Sequence, residues 1–178
     1  MNTARVENGH LLIEAHKKST GSKEYCSARL VTKNRHSWLH GKIVVKAKLP
    51  KGKGNWSAIW MLPEENTYGI WPKSGEIDIM EHVGYDPDTI VGTVHTEAFN
   101  HMIGTQKGKN QYLEDSESAF HRYAVQWSED QIEWYIDGEK YHSFSNRHQT
   151  YKEWPYDKPF HLILNLAIGG NWGGKYGV

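Results

Sequence analysis

The chain of 178 residues is long enough for one domain with a full hydrophobic core and leaves little room for a second domain. Its 21 basic and 21 acidic residues cancel, so the net charge favours neither nucleic acid nor an anionic membrane as a partner. No apolar run approaches the roughly 20 residues that span a bilayer. The single cysteine, Cys26, excludes an internal disulfide.

The aromatic composition points to a binding surface. The chain contains eight Trp and ten Tyr but only four Phe. A core that served packing alone would contain more Phe, because Trp and Tyr each carry a polar group that needs a partner. The surplus of Trp and Tyr favours a wet, flat-faced ligand groove.

Short strand patterns separated by turn residues run through the chain, and helix signals are nearly absent. The predicted strands, in chain order, are 10–15, 27–33, 41–50, 57–62, 76–81, 90–99, 121–127, 132–137 and 159–170. Within 41–50, apolar residues alternate with lysines, which is typical of a half-buried strand. Segment 159–170 has apolar residues at both odd and even positions, so both faces of the strand should be buried. It is therefore expected to be a central strand.

Turns and loops divide these strands. Asp137–Gly138 predicts a hairpin, because a type I′ turn needs positive φ at both central residues. The polar segment 100–118 is predicted to be a loop. Many antiparallel strands without helices form a sandwich or a barrel. We predict a single all-β domain over residues 1–178, built as a sandwich of two sheets.

The most informative stretch is SGEIDIMEHVG, residues 74–84, which carries three carboxylates among apolar residues. In a regular strand Glu76 and Asp78 share one face, whereas Glu81 points to the other. One extra residue, a β-bulge near residues 79–80, would bring all three onto one face, and bulges are common beside active sites. Either Glu81 is an ordinary solvated residue, or a bulge turns it into a groove.

A bulge would let the two glutamates act together. Glu76 and Glu81 would be separated by about 13 Å between Cα atoms, at roughly 3.3 Å per residue. Side chains leaning toward each other can bring their carboxyl groups to about 5–5.5 Å, as in retaining glycosidases. Three carboxylates on one face cannot all ionise cheaply, so at least one is expected to hold a proton near neutral pH. A protonated Glu is a general acid, and an ionised Glu is a nucleophile.

Four tryptophans are candidate sugar-stacking residues. Trp56 and Trp60 share one face of the preceding predicted strand, and Trp71 lies shortly before Glu76. Trp172 follows a Gly-Gly-Asn turn after the last predicted strand. Flat rings without a matching charge pattern suit the C–H faces of sugars. Packing in the core is the alternative interpretation, above all for Trp56 and Trp60.

These segments together resemble glycoside hydrolase family 16, in its laminarinase (endo-β-1,3-glucanase) branch. The segments that carry the resemblance are ARVENGHLLIEA, YCSARLVTK, GKIVVKAKLPKGKGNWSAIWMLP, SGEIDIMEHVG, VGTVHTEAF, YAVQWSEDQIEWYIDG and PFHLILNLAIGGNWGG. They follow one another over nearly the whole chain. The E-x-D-x-x-E signature has the longer spacing, which looks like the laminarinase type.

The resemblance implies a β-jelly-roll of two curved antiparallel sheets with a glycan cleft on the concave face. It assigns Glu76 as the nucleophile, Glu81 as the acid/base and Asp78 as the residue that holds and tunes the pair. Arg29 and His95 align with cleft residues of the family. They therefore join the four tryptophans as candidate substrate-binding residues.

The chain departs from the family pattern at Ser57 and at both ends. Ser57 stands where relatives usually have Pro, which would relax the backbone there. The family's first strands, with an Asp-Glu-Phe sequence, and its last strand, resembling VDYVRVY, are not recognisable. We therefore expect a chain truncated relative to the family, with unpaired edges that a complementary chain or swapped segment would complete. Of the family's structural calcium site, only the backbone near Gly9 would remain.

The leading hypothesis is a retaining endo-β-1,3-glucanase that acts on β-1,3-glucan or mixed-linkage β-1,3-1,4-glucan and needs no catalytic cofactor. Segment 100–118 is expected to set the linkage preference. The alternatives are a non-catalytic β-glucan-binding module, which the intact glutamates oppose, and a transglycosylase of the same fold. No H-E-x-x-H motif or His/Cys cluster supports a metal enzyme. A polysaccharide substrate implies a secreted, cell-surface or periplasmic protein, although the N-terminus shows no signal-peptide pattern.

Overall fold

The fold is built almost entirely of strands. A computed structural model describes residues 2–178, apart from the Thr20 side chain, and its one short 3₁₀ helix is His101–Ile103. The strands are β1 Ala4–Glu7, β2 His10–Ile13, β3 His16–Thr20, β4 Lys23–Cys26, β5 Arg29–Val31, β6 Gly41–Ala47, β7 Asn55–Pro63, β8 Glu76–Val83, β9 Thr89–His95, β10 Lys107–Tyr112, β11 His121–Trp127, β12 Gln131–Ile136, β13 Glu139–Ser145 and β14 Phe160–Ile168. Within the described residues, no helix has the length and apolar character needed to cross a membrane.

Two antiparallel sheets form the predicted sandwich. The larger sheet has six strands in the order β10-β9-β8-β7-β14-β5, and the smaller has four in the order β13-β12-β11-β6. The N-terminal segment adds two separate hairpins, β1–β2 and β3–β4. An antiparallel sheet can pack one face on the core and turn the other to solvent. The outer face of the six-stranded sheet is therefore available to a ligand.

The hydrophobic core lies between the two sheets. The larger sheet contributes Met61 and Ile77, and the smaller contributes Tyr123 and Trp134, all of them fully buried. Burial of one large apolar side chain stabilises a fold by about 1.5–3 kcal/mol. The core thereby fixes which face of each strand points inward.

Strand β7 shows how the sequence pattern separates core from cleft. Ile59 and Met61 belong to the core, whereas Trp56 and Trp60 lie on the opposite face and line the cleft there. Successive residues of a strand project to opposite faces, which produces this division. The prediction that the two tryptophans share a face is confirmed.

Two tight turns have the backbone that their sequences require. Asp137 and Gly138 have φ values of 51° and 97°, so the predicted hairpin between β12 and β13 is confirmed. Asn8 and Gly9 have the same signature, with φ values of 50° and 77°, and join β1 to β2. Strand β1 is absent from the predicted strands, so the sequence pattern does not identify this first hairpin.

The prediction of a loop throughout 100–118 is wrong in its middle. Lys107–Tyr112 forms β10, which pairs with β9 along all six of its residues at one edge of the larger sheet. Its sequence, KGKNQY, has no apolar alternation, because an edge strand beside a solvent-filled cleft buries little on either face. Main-chain pairing to β9 therefore defines the strand, and a hydrophobic pattern does not reveal it.

The sheets have open edges at β5 and β6. Within residues 2–178, each of these strands is hydrogen-bonded to a sheet neighbour on one side only. Val31 on β5 and Val44 on β6 are each 48% exposed. The expected complementary chain or swapped segment that would cover such an edge stays a prediction.

Candidate active site

A β-bulge in β8 lies at the centre of the site. Between Asp78 and Glu81 the register of β8 against β9 shifts, so that Ile79 and Met80 together lie opposite the single residue Gly92. Both apolar side chains are buried, with 1% of each exposed. The predicted bulge is confirmed, and because of it the side chains of Glu81 and Asp78 project from the same face of the sheet.

All three carboxylates of β8 consequently face one cleft. Glu76, Asp78 and Glu81 line an open depression of about 1290 Å³ on the outer face of the six-stranded sheet. The other residues that the sequence predicted for the site also line this depression, and they are Arg29, Trp56, Trp60, Trp71, His95 and Trp172. The fold thus brings together predicted residues from four strands and two loops that are far apart in sequence.

Each glutamate accepts a hydrogen bond from an indole N–H. Trp71 Nε1 donates to Glu76 Oε2 at 3.0 Å, and Trp56 Nε1 donates to Glu81 Oε1 at 3.1 Å. Each bond occupies one carboxylate oxygen and restricts the rotamer of a long, otherwise mobile side chain. The aromatic walls of the cleft therefore also orient the two glutamates.

Asp78 lies between the glutamates and is the most buried of the three carboxylates, with only 2% exposed. Its Oδ2 atom is 3.4 Å from His95 Nε2 and has no hydrogen-bond partner among the described residues. His95 Nε2 is also 3.8 Å from Glu76 Oε1. The imidazole therefore contacts two of the three acids from one side.

Burial raises the pKa of every carboxyl group in the cluster, and repulsion from a neighbouring carboxylate adds to the rise at Glu76 and Asp78. Burial raises the pKa of Glu76 well above its ordinary value, and the charge of Asp78 adds to the rise. Burial and the charge of Glu81 do the same to the pKa of Asp78. The pKa of Glu81 is raised by burial and partly restored by the Trp56 hydrogen bond. Burial lowers the pKa of His95, which favours the neutral imidazole.

Aromatic and polar side chains form the rest of the wall. The Arg29 guanidinium lies 4.6 Å from the centroid of the Trp60 ring, within cation–π range. Trp60 Nε1 donates to Asn165 Oδ1 at 2.7 Å. Trp172 meets Trp56 edge to face, with ring centroids 5.5 Å apart. These half-buried rings are therefore held in place by neighbours.

Sequence reasoning missed several cleft residues. Asn165 is the one polar residue within the otherwise apolar run 162–168 of β14, a signal that the sequence does contain. His101 and Asn110 gave no such signal, because both belong to the polar segment predicted as a loop. In the structure, the His101 ring lies 5.1 Å from both the His95 and the Trp71 rings. Only the tertiary fold reveals this contact.

Near Gly9, where structural calcium is predicted, two of the groups that could supply oxygen ligands have partners within the chain. Ca²⁺ takes about six to eight oxygen ligands, but the Asn8 carbonyl accepts a hydrogen bond from His10, and the Glu7 carboxylate is paired with Arg5. Structural calcium near Gly9 stays a prediction. Residues 2–178 contain one close group of three side chains with metal-ligating atoms, which lies in the cleft: Glu76, Asp78 and His95.

The raised pKa of Asp78 predicts that its charge destabilises the fold. The native state binds this proton more tightly than the unfolded state does, so the resulting stabilisation is complete below the ordinary Asp pKa. It is lost as pH rises through the raised native pKa. We expect Asp78→Asn to increase the free energy of unfolding at neutral pH by on the order of 1 kcal/mol or more, since one pKa unit corresponds to about 1.4 kcal/mol. Urea unfolding across pH should show this gain shrinking toward acid pH.

Asp157→Asn is the matched control for the pH experiment. Partial burial would raise the pKa of Asp157, but hydrogen bonds from Tyr68 and Lys158 lower it overall. Its stabilising effect is therefore present at neutral pH and lost in acid, the opposite sign to Asp78. If Asp78→Asn lowered stability at neutral pH as Asp157→Asn should, the ionised Asp78 would be stabilised by the fold and the prediction would be wrong.

An all-β sandwich whose outer face carries paired glutamates and a row of tryptophans is a jelly-roll domain of the glycoside hydrolase class. The model of the family described as "Glycosyl hydrolases family 16" matches residues 1–178. The chain belongs to this family.

Relatives support the same placement. A "Beta-glucanase" of Rhodothermus marinus is 49% identical over 98% of this chain. The X-ray structure of the laminarinase from Rhodothermus marinus is 48% identical, covers 99% of this chain and 73% of its own, and superposes with a TM-score of 0.97. A mutant of SCLam, described as a non-specific endo-β-1,3(4)-glucanase, is 45% identical with a TM-score of 0.94, covering 99% of this chain and 70% of its own. That crystal structure presents 1,3-β-D-cellobiosyl-glucose at its active site. The present chain spans 64% of the length of the Rhodothermus marinus β-glucanase.

Proposed function

We propose that this chain is a retaining endo-β-1,3-glucanase that hydrolyses β-1,3-glucan, with mixed-linkage β-1,3-1,4-glucan as a second substrate. One observation carries the proposal: the bulge in β8 brings Glu76 and Glu81 into the same tryptophan-lined cleft. Most glycosidases hydrolyse a glycosidic bond with two carboxyl groups that flank it. The relatives named above carry glucanase or laminarinase in their descriptions.

The proposed reaction is a double displacement. Glu76 attacks the anomeric carbon while Glu81 gives its proton to the departing glycosidic oxygen, which leaves a covalent glycosyl-enzyme. Glu81, now ionised, takes a proton from water as that water attacks the anomeric carbon. The C–O bond to Glu76 breaks, and both carboxyl groups return to their starting states with retention of configuration.

The surroundings of the carboxyl groups suit these two roles. The raised pKa of Glu81 keeps a proton available at a pH where an ordinary Glu has lost it. Burial and the charge of Asp78 oppose the ionised state that Glu76 needs as a nucleophile, whereas the Trp71 indole N–H and His95 favour it. We assign Asp78 the role of tuning this pair, because its charge raises the pKa of Glu76 and it contacts His95.

The shape of the cleft suits a polysaccharide that lies across the sheet. Its volume of about 1290 Å³ exceeds the roughly 300–1,000 Å³ of typical small-molecule sites. Trp56, Trp60, Trp71 and Trp172 are proposed to stack on sugar rings along it. Gln106 and Asn110 also line it, beside and on β10, and we propose that this segment sets the linkage preference. A polymer of this kind implies that the protein works outside the cytoplasm.

Incubation with laminarin tests the proposal. We expect release of reducing ends from the interior of the polymer, and the first product observed by proton NMR should have the β configuration. Binding of laminarin without release would make the chain a glucan-binding module. Appearance of oligosaccharides longer than the starting material would instead identify a transglycosylase. An α-configured first product would contradict the retaining mechanism.

A further inference from the structure

The bulge that carries Glu81 into the cleft is contacted from behind by a residue of the other sheet. Trp134 of β12 reaches across the core, and its Nε1 atom donates a hydrogen bond to the backbone carbonyl of Asp78 at 2.8 Å. The Trp134 side chain is fully buried. Asp78 is the residue after which the register of β8 changes. The indole thus binds the backbone where the bulge begins.

This hydrogen bond satisfies two polar groups at once. A bulge takes peptide groups out of the regular ladder between strands, and a buried carbonyl without a donor destabilises the fold. The indole N–H would be equally costly without an acceptor in the core. The bulged state of β8 therefore has a buried partner that a regular strand, with its peptides in different positions, would not present to the indole.

Gly92 provides the space for this contact. It lies on β9 opposite the bulge, and its φ is not in the left-handed region, so its backbone does not require glycine. A Cβ atom at Gly92 would lie 2.6 Å from Trp134 Cδ1 and 2.9 Å from Trp134 Nε1, and would also collide with the Tyr141 hydroxyl. Real Cβ contacts are essentially never this short. Any larger side chain would move the indole away from Asp78.

We propose that Trp134 and Gly92 are positioning residues that hold the bulge in β8 and so set where Glu81 stands relative to Glu76. Neither residue touches the cleft; each acts through the backbone of Asp78 and the two residues after it. The effect on catalysis rests on the proposed function. The structural effect, which we call the hold on the bulge, is the restraint of β8 by these two residues and does not depend on that function. Without the hold, β8 can shift toward regular pairing, which would turn Glu81 toward the other face.

Trp134→Phe tests the hold, because it keeps a large ring in the core and removes the N–H. We expect kcat on laminarin to fall by about 10²-fold, the loss that a displacement of roughly 1 Å causes, with KM little changed. The matched control is Trp127→Phe. Trp127 is also a core tryptophan of the smaller sheet, 3% exposed, and its Nε1 atom has no hydrogen-bond partner within residues 2–178. Equal losses in the two variants would overturn the proposal.

A second substrate separates misplacement of Glu81 from a general packing defect. A dinitrophenyl β-glucoside of a laminari-oligosaccharide has a leaving group that departs without a proton. If Trp134→Phe displaces Glu81, formation of the glycosyl-enzyme from this substrate should be nearly as fast as in the parent chain. A loss as large as that on laminarin would indicate that Trp134 supports the fold in general and does not position the acid.

Gly92→Ala approaches the same contact from the other strand. We expect it to reproduce the loss of Trp134→Phe on laminarin and the milder effect on the aryl glycoside. The double variant should lose no more than the stronger single variant, because both changes break one contact and their free energies are not additive. Full additivity would overturn the shared mechanism.

Amide hydrogen exchange tests the hold without any catalysis. Exchange at Ile79 and Met80 should be faster in Trp134→Phe than in the parent chain, and unchanged in Trp127→Phe, with amides on β7 as the internal reference for global opening. Unchanged exchange at the bulge would overturn the proposal even in an active enzyme. If exchange is faster in Trp134→Phe but the parent chain itself does not cleave laminarin, the hold is supported and only the proposed function is refuted.

Discussion

Glu76→Gln is expected to eliminate turnover of laminarin almost completely. Gln has the shape of Glu but cannot form the glycosyl-enzyme, so both halves of the double displacement are lost. We expect kcat/KM to fall by more than the roughly 10⁴-fold upper range for loss of a general acid or base. Reducing-sugar release with a large excess of enzyme is the measurement. Affinity for a laminari-oligosaccharide, measured by calorimetry, should be retained because the cleft walls are intact.

Azide distinguishes a missing nucleophile from a damaged site. In Glu76→Ala the small anion can enter the space left by the side chain and attack an aryl β-glucoside of a laminari-oligosaccharide directly. The expected product is the α-glycosyl azide, because a single displacement inverts the configuration. A β-glycosyl azide from this variant, or wild-type activity in Glu76→Gln, would assign the nucleophile to another residue.

Glu81→Gln is expected to lower kcat/KM on laminarin by about 10²–10⁴-fold, the usual contribution of general acid–base catalysis. The defect should nearly disappear from the first step on a dinitrophenyl glycoside, since that leaving group needs no proton. The glycosyl-enzyme should then accumulate, because Glu81 also activates the water of the second step. Mass spectrometry of the trapped intermediate is the direct measurement.

The pH profile provides the control for Glu81. Burial raises the pKa of Glu81, so the alkaline limb of kcat/KM in the parent chain should lie above the range of an ordinary Glu. The acid is competent below that pKa and is lost above it. This limb should vanish from the residual activity of Glu81→Gln on laminarin, and it should be absent from both chains on the dinitrophenyl substrate, whose leaving group needs no proton. If the limb persisted unchanged, another group, with Asp78 as the first candidate, would be the acid.

The same variants also test how many protons the three carboxyl groups take up when the chain folds. All three carboxyl groups have raised pKa values, and the charges within the cluster contribute to the rise at Glu76 and Asp78. Replacing Glu81 by neutral Gln removes a charge that raises the pKa of both Glu76 and Asp78, and should lower the pKa of that remaining pair. Proton uptake measured on folding should therefore be smaller in the variant than in the parent chain. The cluster thus titrates as a unit.

Much of the candidate site follows from the sequence alone. Parity along SGEIDIMEHVG predicted that Glu81 could join Glu76 only through a bulge, because side chains alternate strictly in a regular strand. The alternation in β7 likewise placed Trp56 and Trp60 on one face. Like charges in an apolar strand predicted raised pKa values. These are local rules, and they hold whatever the rest of the chain does.

Other features depended on contacts between distant segments. Strand β10 has no apolar period and exists through pairing with β9, so its sequence predicts a loop. His101 reaches His95 and Trp71 only because this segment folds over the end of the cleft. Nothing local to Trp134 or Gly92 indicates that an indole from one sheet holds a bulge in the other. Periodicity records which face of a strand is buried, whereas the partner across the core is chosen by the packing of the two sheets, and only the tertiary structure contains that information.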